Sequence, residues 1–138
     1  MPIAAAEQGE INRLPCVFEK ALLAHCAVCE LARRRGGMAR EGVACASPVA
    51  RAACGTLYGL LRRNAAFALR AGETSRLRPG AVLKLQCGGL TGLKQLLAPD
   101  SHAPYVHGLV RLATDVHGYI DTLPFADIVK AVTAWPGR

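Results

Sequence analysis

Apolar residues recur at helical spacing in the first quarter of the chain. Pro15 is tolerated in a first helical turn, and the apolar positions that follow it are Phe18, Leu22, Cys29 and Ala32. The cations Arg33–Arg35 suit a C-terminal turn, and Gly36-Gly37 supplies a stop. This pattern predicts a first helix from Pro15 to about Arg35.

A second helix is expected shortly afterwards. Ser47 is a typical N-cap residue, and Pro48 occupies the first helical position. The helix is predicted to run from Pro48 to about Arg70 and to be closed by Gly72. Because the link between the two helices is short, we expect them to pack as an antiparallel helix hairpin.

The second half of the chain predicts shorter elements. Apolar and polar residues alternate from Leu83 to Cys87, which favours an extended segment near 82–87 that ends at Gly88-Gly89. A short helix is expected over Leu90–Ala98, and a longer one from about Tyr105 to Tyr119. A last amphipathic helix follows Thr122 and reaches Trp135. The fold class predicted is therefore mainly α, a small helical bundle built on the hairpin.

Length and composition indicate one domain over residues 1–138. Hydrophobic residues make up 51% of the chain, which is typical of a globular protein and enough for one modest core. No apolar stretch approaches the roughly 20 residues that a membrane helix needs. Residues 1–14 lack the basic and apolar regions of a secretion signal and are expected to be a flexible N-terminus. We therefore expect a cytoplasmic protein.

Six cysteines are the most informative feature of the composition. In a reducing cytosol, cysteines more often bind metal or do redox chemistry than form a disulfide framework. Cys26 and Cys29 are three positions apart, which on a helix places them on one face with Cβ atoms about 5–6 Å apart. Cys16 lies ten residues earlier, about 15 Å along a continuous helix, and is expected to be outside their site.

Two further ligands follow from the predicted hairpin. Cys29 lies six residues before the end of the first helix and Cys54 six after the start of the second, so antiparallel packing brings them to the same height. Cys87 is the favoured fourth ligand, because the glycines after it allow close backbone approach to a cluster. Cys45, in the connecting loop, is a competing or additional ligand.

An iron–sulfur cluster, preferably 4Fe–4S, fits the scattered spacing of these ligands better than zinc does. Structural zinc sites usually combine two short cysteine or histidine pairs, and this chain has one such pair. Iron–sulfur clusters take thiolates at irregular spacing. Zinc is the second choice, and a metal-free helical interaction module with buried thiols is a further alternative.

The chain is also strongly basic, with a net charge of +7. Much of the excess lies in the arginines of the region Arg33–Arg78, which suits an acidic protein partner such as a redox protein. Electron transfer or redox sensing is therefore the predicted function. A basic nucleic-acid-binding regulator, stabilised by zinc or a cluster, is the alternative. No catalytic constellation is recognisable, and enzyme activity is left open.

Overall fold

Five α-helices and a two-stranded sheet form the part of the chain that the computed structural model describes, residues 15–35, 42–71 and 76–136. The elements are α1 (Glu19–Leu23), β1 (Ala32–Arg35), β2 (Gly42–Cys45), α2 (Pro48–Leu69), α3 (Pro79–Leu97), α4 (Val106–His117), a 3-10 helix (Ile120–Thr122) and α5 (Phe125–Ala134). The mainly α fold class is confirmed. The predicted flexible segment 1–14 lies outside the described residues. None of the helices in the described ranges combines the length and apolar character needed to cross a bilayer.

Helix α2 follows the prediction closely. The Ser47 hydroxyl accepts a hydrogen bond from the Ala50 amide at 3.1 Å, which satisfies one of the free amides of the first turn. The helix ends at Arg70, whose left-handed backbone (φ 56) terminates it. Its buried residues recur every three or four positions, at Ala50, Cys54, Leu57, Leu61, Ala65 and Leu69. This stripe faces the core.

The predicted first helix is wrong over most of its length. Helix α1 stops at Leu23, and His25 has a left-handed φ of 63° that ends helical progression. Ala32–Arg35 is instead a strand that pairs antiparallel with β2, from Ala32 opposite Cys45 to Arg35 opposite Gly42. The hairpin is therefore made of strands and not of two helices. Gly36-Gly37, the predicted helix stop, lies outside the described residues.

The predicted extended segment over 82–87 is also wrong, because these residues belong to α3. An alternation of apolar and polar residues this short is also compatible with a helix that is buried on several sides. The run Leu85–Leu90 is buried without interruption, since α3 is covered by α1, α2, α4 and α5. The short helix predicted over Leu90–Ala98 is the second half of α3.

Two glycines let α3 and α5 approach each other closely. A Cβ at Gly88 would lie 2.6 Å from the Cα of Val132, and one at Gly92 would lie 2.8 Å from the Cβ of Ala131. Gly89 faces Leu61 of α2, whose nearest atom would be 3.0 Å from an added Cβ. The glycines after Cys87 therefore serve helix packing, and not the approach to a cluster that the sequence suggested.

Gln86 ties α1 to α3 from inside the core. Its side chain is 4% exposed, and its Oε1 accepts a hydrogen bond from the Ala21 amide at 3.0 Å. Its Nε2 donates to the Val17 carbonyl at 3.2 Å. A short helix such as α1 is marginal alone, so these long-range bonds are part of what holds it in place.

Candidate thiol site

Four free cysteines line one small, largely enclosed cavity near the start of α2. They are Cys16, Cys29, Cys45 and Cys54, and the set is called the four-cysteine cavity below. The remaining wall is mainly apolar, from Val17, Leu31, Ala32, Ala50 and Val106. Arg51 and His107 are its other polar residues, and the wall contains no Asp or Glu. The chemistry of this cavity is therefore dominated by sulfur.

Strand β2 positions two of the four thiols. The Cys16 amide donates to the Val43 carbonyl at 2.8 Å, so the segment before α1 runs beside β2. The Arg51 Nε donates to the Pro15 carbonyl at 2.8 Å and holds the same segment against α2. Cys45 is the last residue of β2, and its thiol donates to the Ser47 carbonyl at 3.2 Å. The chain turns into α2 directly afterwards.

Cys29 is held by a contact with a distant part of the chain. Its neighbour Val28 donates its amide to the Pro104 carbonyl at 2.9 Å and accepts from the Val106 amide at 2.8 Å. Two backbone bonds across this separation fix a loop that has no regular structure of its own. The same pairing places His107, the residue after Val106, in the cavity wall. The fourth thiol, Cys54, is 8% exposed on α2.

Burial and the neighbouring thiols disfavour ionisation of Cys54 and Cys16. Desolvation is the largest cause that raises the pKa of Cys54 to about 12, followed by the charges of Cys16, Cys29 and Cys45. The pKa of Cys16 rises to about 11, again chiefly by burial, although a hydrogen bond from the Phe18 backbone opposes the rise. The thiolate forms of Cys16 and Cys54 would therefore need a compensating cation.

His107 is the one imidazole at the four-cysteine cavity. Its Nδ1 lies 3.6 Å from the Oε2 of Glu30, too far for a hydrogen bond. This nitrogen is buried and has no hydrogen-bond partner. Glu30 is mostly exposed, so the contact is an ion pair only when the imidazole is protonated. The ring thus presents a polar edge beside the thiols.

The structure brings together three of the predicted ligand residues, Cys29, Cys45 and Cys54, and adds Cys16. Cys16 is predicted to lie outside the ligand site only if the first helix is continuous. Since α1 ends at Leu23, the chain between Cys16 and Cys29 folds back instead of extending. No motif in the sequence signals this reversal, because it depends on the pairing of Val28 with residues 104–106.

Cys26 and Cys87, the other two predicted ligands, lie apart from this cavity. Their sulfurs are bonded to each other at 2.07 Å, and the disulfide joins the loop after α1 to the middle of α3. Bonded in this way, neither sulfur is a thiolate. The disulfide closes a span of 61 residues, and disulfides over such spans stabilise the folded state mainly by restricting the unfolded chain.

Comparison of the chain with known protein families, curated proteins and solved structures found no match. As the side chains stand, no three or more His, Cys, Asp or Glu residues in the described ranges are placed so that they could hold a metal ion. A cysteine sulfur moves by a few ångström when its side chain changes rotamer. The four thiols therefore share one cavity but are not a metal site as they stand, and a change of rotamer would alter their separations.

Proposed function

We propose that Cys16, Cys29, Cys45 and Cys54 ligate an iron–sulfur cluster, and that the protein acts in electron transfer or redox sensing. The observation that carries this proposal is the convergence of four free thiols, from widely separated positions, on one cavity with mainly apolar walls. Four thiolates are the common ligand set of 2Fe–2S and 4Fe–4S clusters. With all four ligands supplied by the protein, no coordination position is open to a substrate.

The spacing of the four cysteines supports a cluster over structural zinc. The nearest two in sequence, Cys45 and Cys54, are nine positions apart. Structural zinc sites usually draw their ligands from pairs two to five residues apart. The pair that resembled such a motif, Cys26 with Cys29, is divided between the disulfide and the cavity.

Cluster binding requires the cavity to open. Its enclosed volume is about 10 Å3, close to the space of one water molecule. Three of the thiols lie on irregular backbone or at a strand end, whereas Cys54 lies on α2. Coordination of the cluster is therefore coupled to a rearrangement of the segments around Cys16, Cys29 and Cys45.

The surroundings are suited to an anionic centre. The apolar wall limits water access, which is one of the levers that sets a cluster's reduction potential. The guanidinium of Arg51 lies in the wall and offsets negative charge. A redox partner with an acidic face would dock at this end of the molecule, where Arg33 is exposed beside Ala32 of the cavity wall.

The test is anaerobic purification followed by visible absorption and assays of iron, acid-labile sulfide and zinc in one sample. We expect a brown protein with iron and sulfide in equal amounts. Cys16→Ala and Cys54→Ala should each lower the iron content of the folded protein severalfold. The matched control, Cys26→Ala with Cys87→Ala, should retain its iron. A colourless metal-free protein, a zinc protein, or iron lost only in the control would overturn the proposal.

A further inference from the structure

A group of cations surrounds the junction where α2 ends and α3 begins. Arg70, Arg76, Arg78 and Lys84 line two adjoining cavities of about 500 and 400 Å3, which share Arg70 and Arg78. This group is called the basic junction below. Its three arginines are exposed, and Lys84 is partly buried. The surface is therefore concave, open and positively charged.

No acidic side chain compensates these charges in the described part of the chain. The walls formed by residues 68–71 and 76–84 contain no Asp or Glu. The carboxylates of Glu30 and Asp127 lie elsewhere on the molecule, 3.6 Å from His107 and 3.7 Å from Lys130 respectively. Like charges held close together repel each other, and an anionic ligand bound to these cations would offset that repulsion.

An exposed aromatic ring adjoins the basic junction. Phe67 is 96% exposed, one turn of α2 before Arg70. Arg63 lies one turn earlier, and positions four and three residues apart share a helix face. The face thus presents arginine, phenylalanine and arginine in succession. Base stacking on aromatic rings between cations is the usual means of binding single strands.

The distance from the thiols argues against a role in electron exchange at this surface. Arg70 follows Cys54 by 16 positions, and at about 1.5 Å per residue the two lie about 24 Å apart along α2. A redox partner seated at the basic junction would be remote from the four-cysteine cavity. An acidic electron-transfer protein is therefore a poor fit to this end of the molecule.

We propose that the basic junction and Phe67 bind single-stranded nucleic acid. The three arginines and Lys84 contact phosphates, and Phe67 stacks against a base. Guanidinium groups match phosphate oxygens bidentately, and a stacked ring accepts any base, so this surface binds with little sequence preference. The binding does not rest on a metal centre, and it is measured separately from metal content.

Fluorescence anisotropy with a labelled oligothymidylate or oligouridylate of about 20 nucleotides tests the proposal. Each phosphate contact to a single strand contributes about −0.7 to the slope of the log of the binding constant against the log of the salt concentration. Four contacts therefore predict a slope near −2.8. In Arg76→Gln with Arg78→Gln, the slope should flatten to about −1.4, since two contacts are lost. The matched control, Arg111→Gln with Lys130→Gln, removes the same charge elsewhere and should leave the slope unchanged.

Phe67→Ala should weaken binding at least fivefold without changing the slope, and Phe67→Tyr should retain it. Both variants change an exposed side chain, and their melting curves verify that the fold is intact. Absence of oligonucleotide binding at low salt would overturn the proposal. An equal loss of affinity in the arginine double variant of the basic junction and in its control would also overturn it. If polyglutamate binds as tightly as the oligonucleotide and Phe67→Ala keeps its full affinity, the surface is instead a site for acidic proteins, and the proposal is wrong.

Discussion

Gly88→Ala tests the close packing of α3 on α5. The added methyl would lie 2.6 Å from the Cα of Val132, 3.1 Å from the carbonyl oxygen of Ala131 and 3.1 Å from the Cβ of Trp135. Two of these three atoms belong to the backbone of α5. No side-chain rotation relieves such contacts, so α5 has to move as a unit or α3 has to bend.

Helix propensity and overpacking have opposite effects on the free energy of unfolding of Gly88→Ala. Alanine is favoured over glycine inside a helix by about 1 kcal/mol. Overpacking a close-packed interface costs about 1–3 kcal/mol, and a clash with backbone belongs in the upper part of that range. The free energy of unfolding should therefore fall by about 1–2 kcal/mol in Gly88→Ala. Gly59→Ala is the matched control, because its Cβ would meet no atom within 4 Å. It should raise stability by about 1 kcal/mol.

Urea denaturation followed by far-UV circular dichroism measures both variants, with equal slopes required for the comparison. The two free energies of unfolding should differ by about 2–3 kcal/mol, with opposite signs relative to the unaltered protein. If Gly88→Ala stabilises the protein as much as Gly59→Ala does, α3 and α5 do not pack as closely at Gly88 as described here.

Three further predictions concern the core, the thiols and a helix cap. Gln86→Leu leaves the buried Ala21 amide unpaired and should cost about 1–3 kcal/mol in urea denaturation, whereas the exposed Gln95→Leu should be nearly neutral. Burial raises the pKa of Cys16 to about 11 and that of Cys54 to about 12, from an ordinary value of 9.0. The free energy of unfolding of the metal-free protein should therefore fall as the pH rises above 9 towards these values, because these thiols ionise more readily in the unfolded chain than in the folded one. Cys54→Val should lose less stability over the same pH range. A pH profile identical to that of the unaltered protein would contradict the burial of Cys54. Ser47→Ala removes the hydroxyl cap of α2 and should lower the free energy of unfolding by about 1 kcal/mol, against no change for the exposed Thr56→Ala.

Helices with strong local signals were predictable from the sequence. Ser47-Pro48 marks the start of α2, and Phe125–Ala134 carries an uninterrupted amphipathic pattern that predicts α5. Helix α4 lies within the predicted range for the same reason. In each case the apolar periodicity agrees with a local start or stop signal, which is Ser47 for α2, Gly118 for α4 and Pro124 for α5. Tertiary contacts therefore only reinforce a local preference.

The first third of the chain was not predictable, because long-range contacts decide its structure. Its apolar spacing suits one helix, but β2 takes hydrogen-bonding partners on both edges, from β1 and from Cys16. Gln86 binds α1 to α3, and the disulfide binds the turn after α1 to the same helix. Local periodicity carries no information about such partners.

The candidate site was predictable only in part. The cysteine count identified sulfur as the relevant chemistry, and Cys29, Cys45 and Cys54 do line one cavity. The height of Cys29 relative to Cys54 was inferred from a helix that does not form. Cys16 was left out for the same reason. Cys87 was included because of the two glycines after it, which instead pack against α5 and α2.

The pairing of Val28 with residues 104–106 determines when the thiol site can be completed during synthesis. All four cysteines leave the ribosome well before residue 104 does, yet the two backbone bonds that hold Val28, the neighbour of Cys29, cannot form until residues 104–106 follow. An unfinished chain thus offers cysteines without their final arrangement. Completion of the thiol site must therefore wait until residues 104–106 have been synthesised, and a chain truncated before Pro104 should lack the contact that holds Cys29 beside the other thiols.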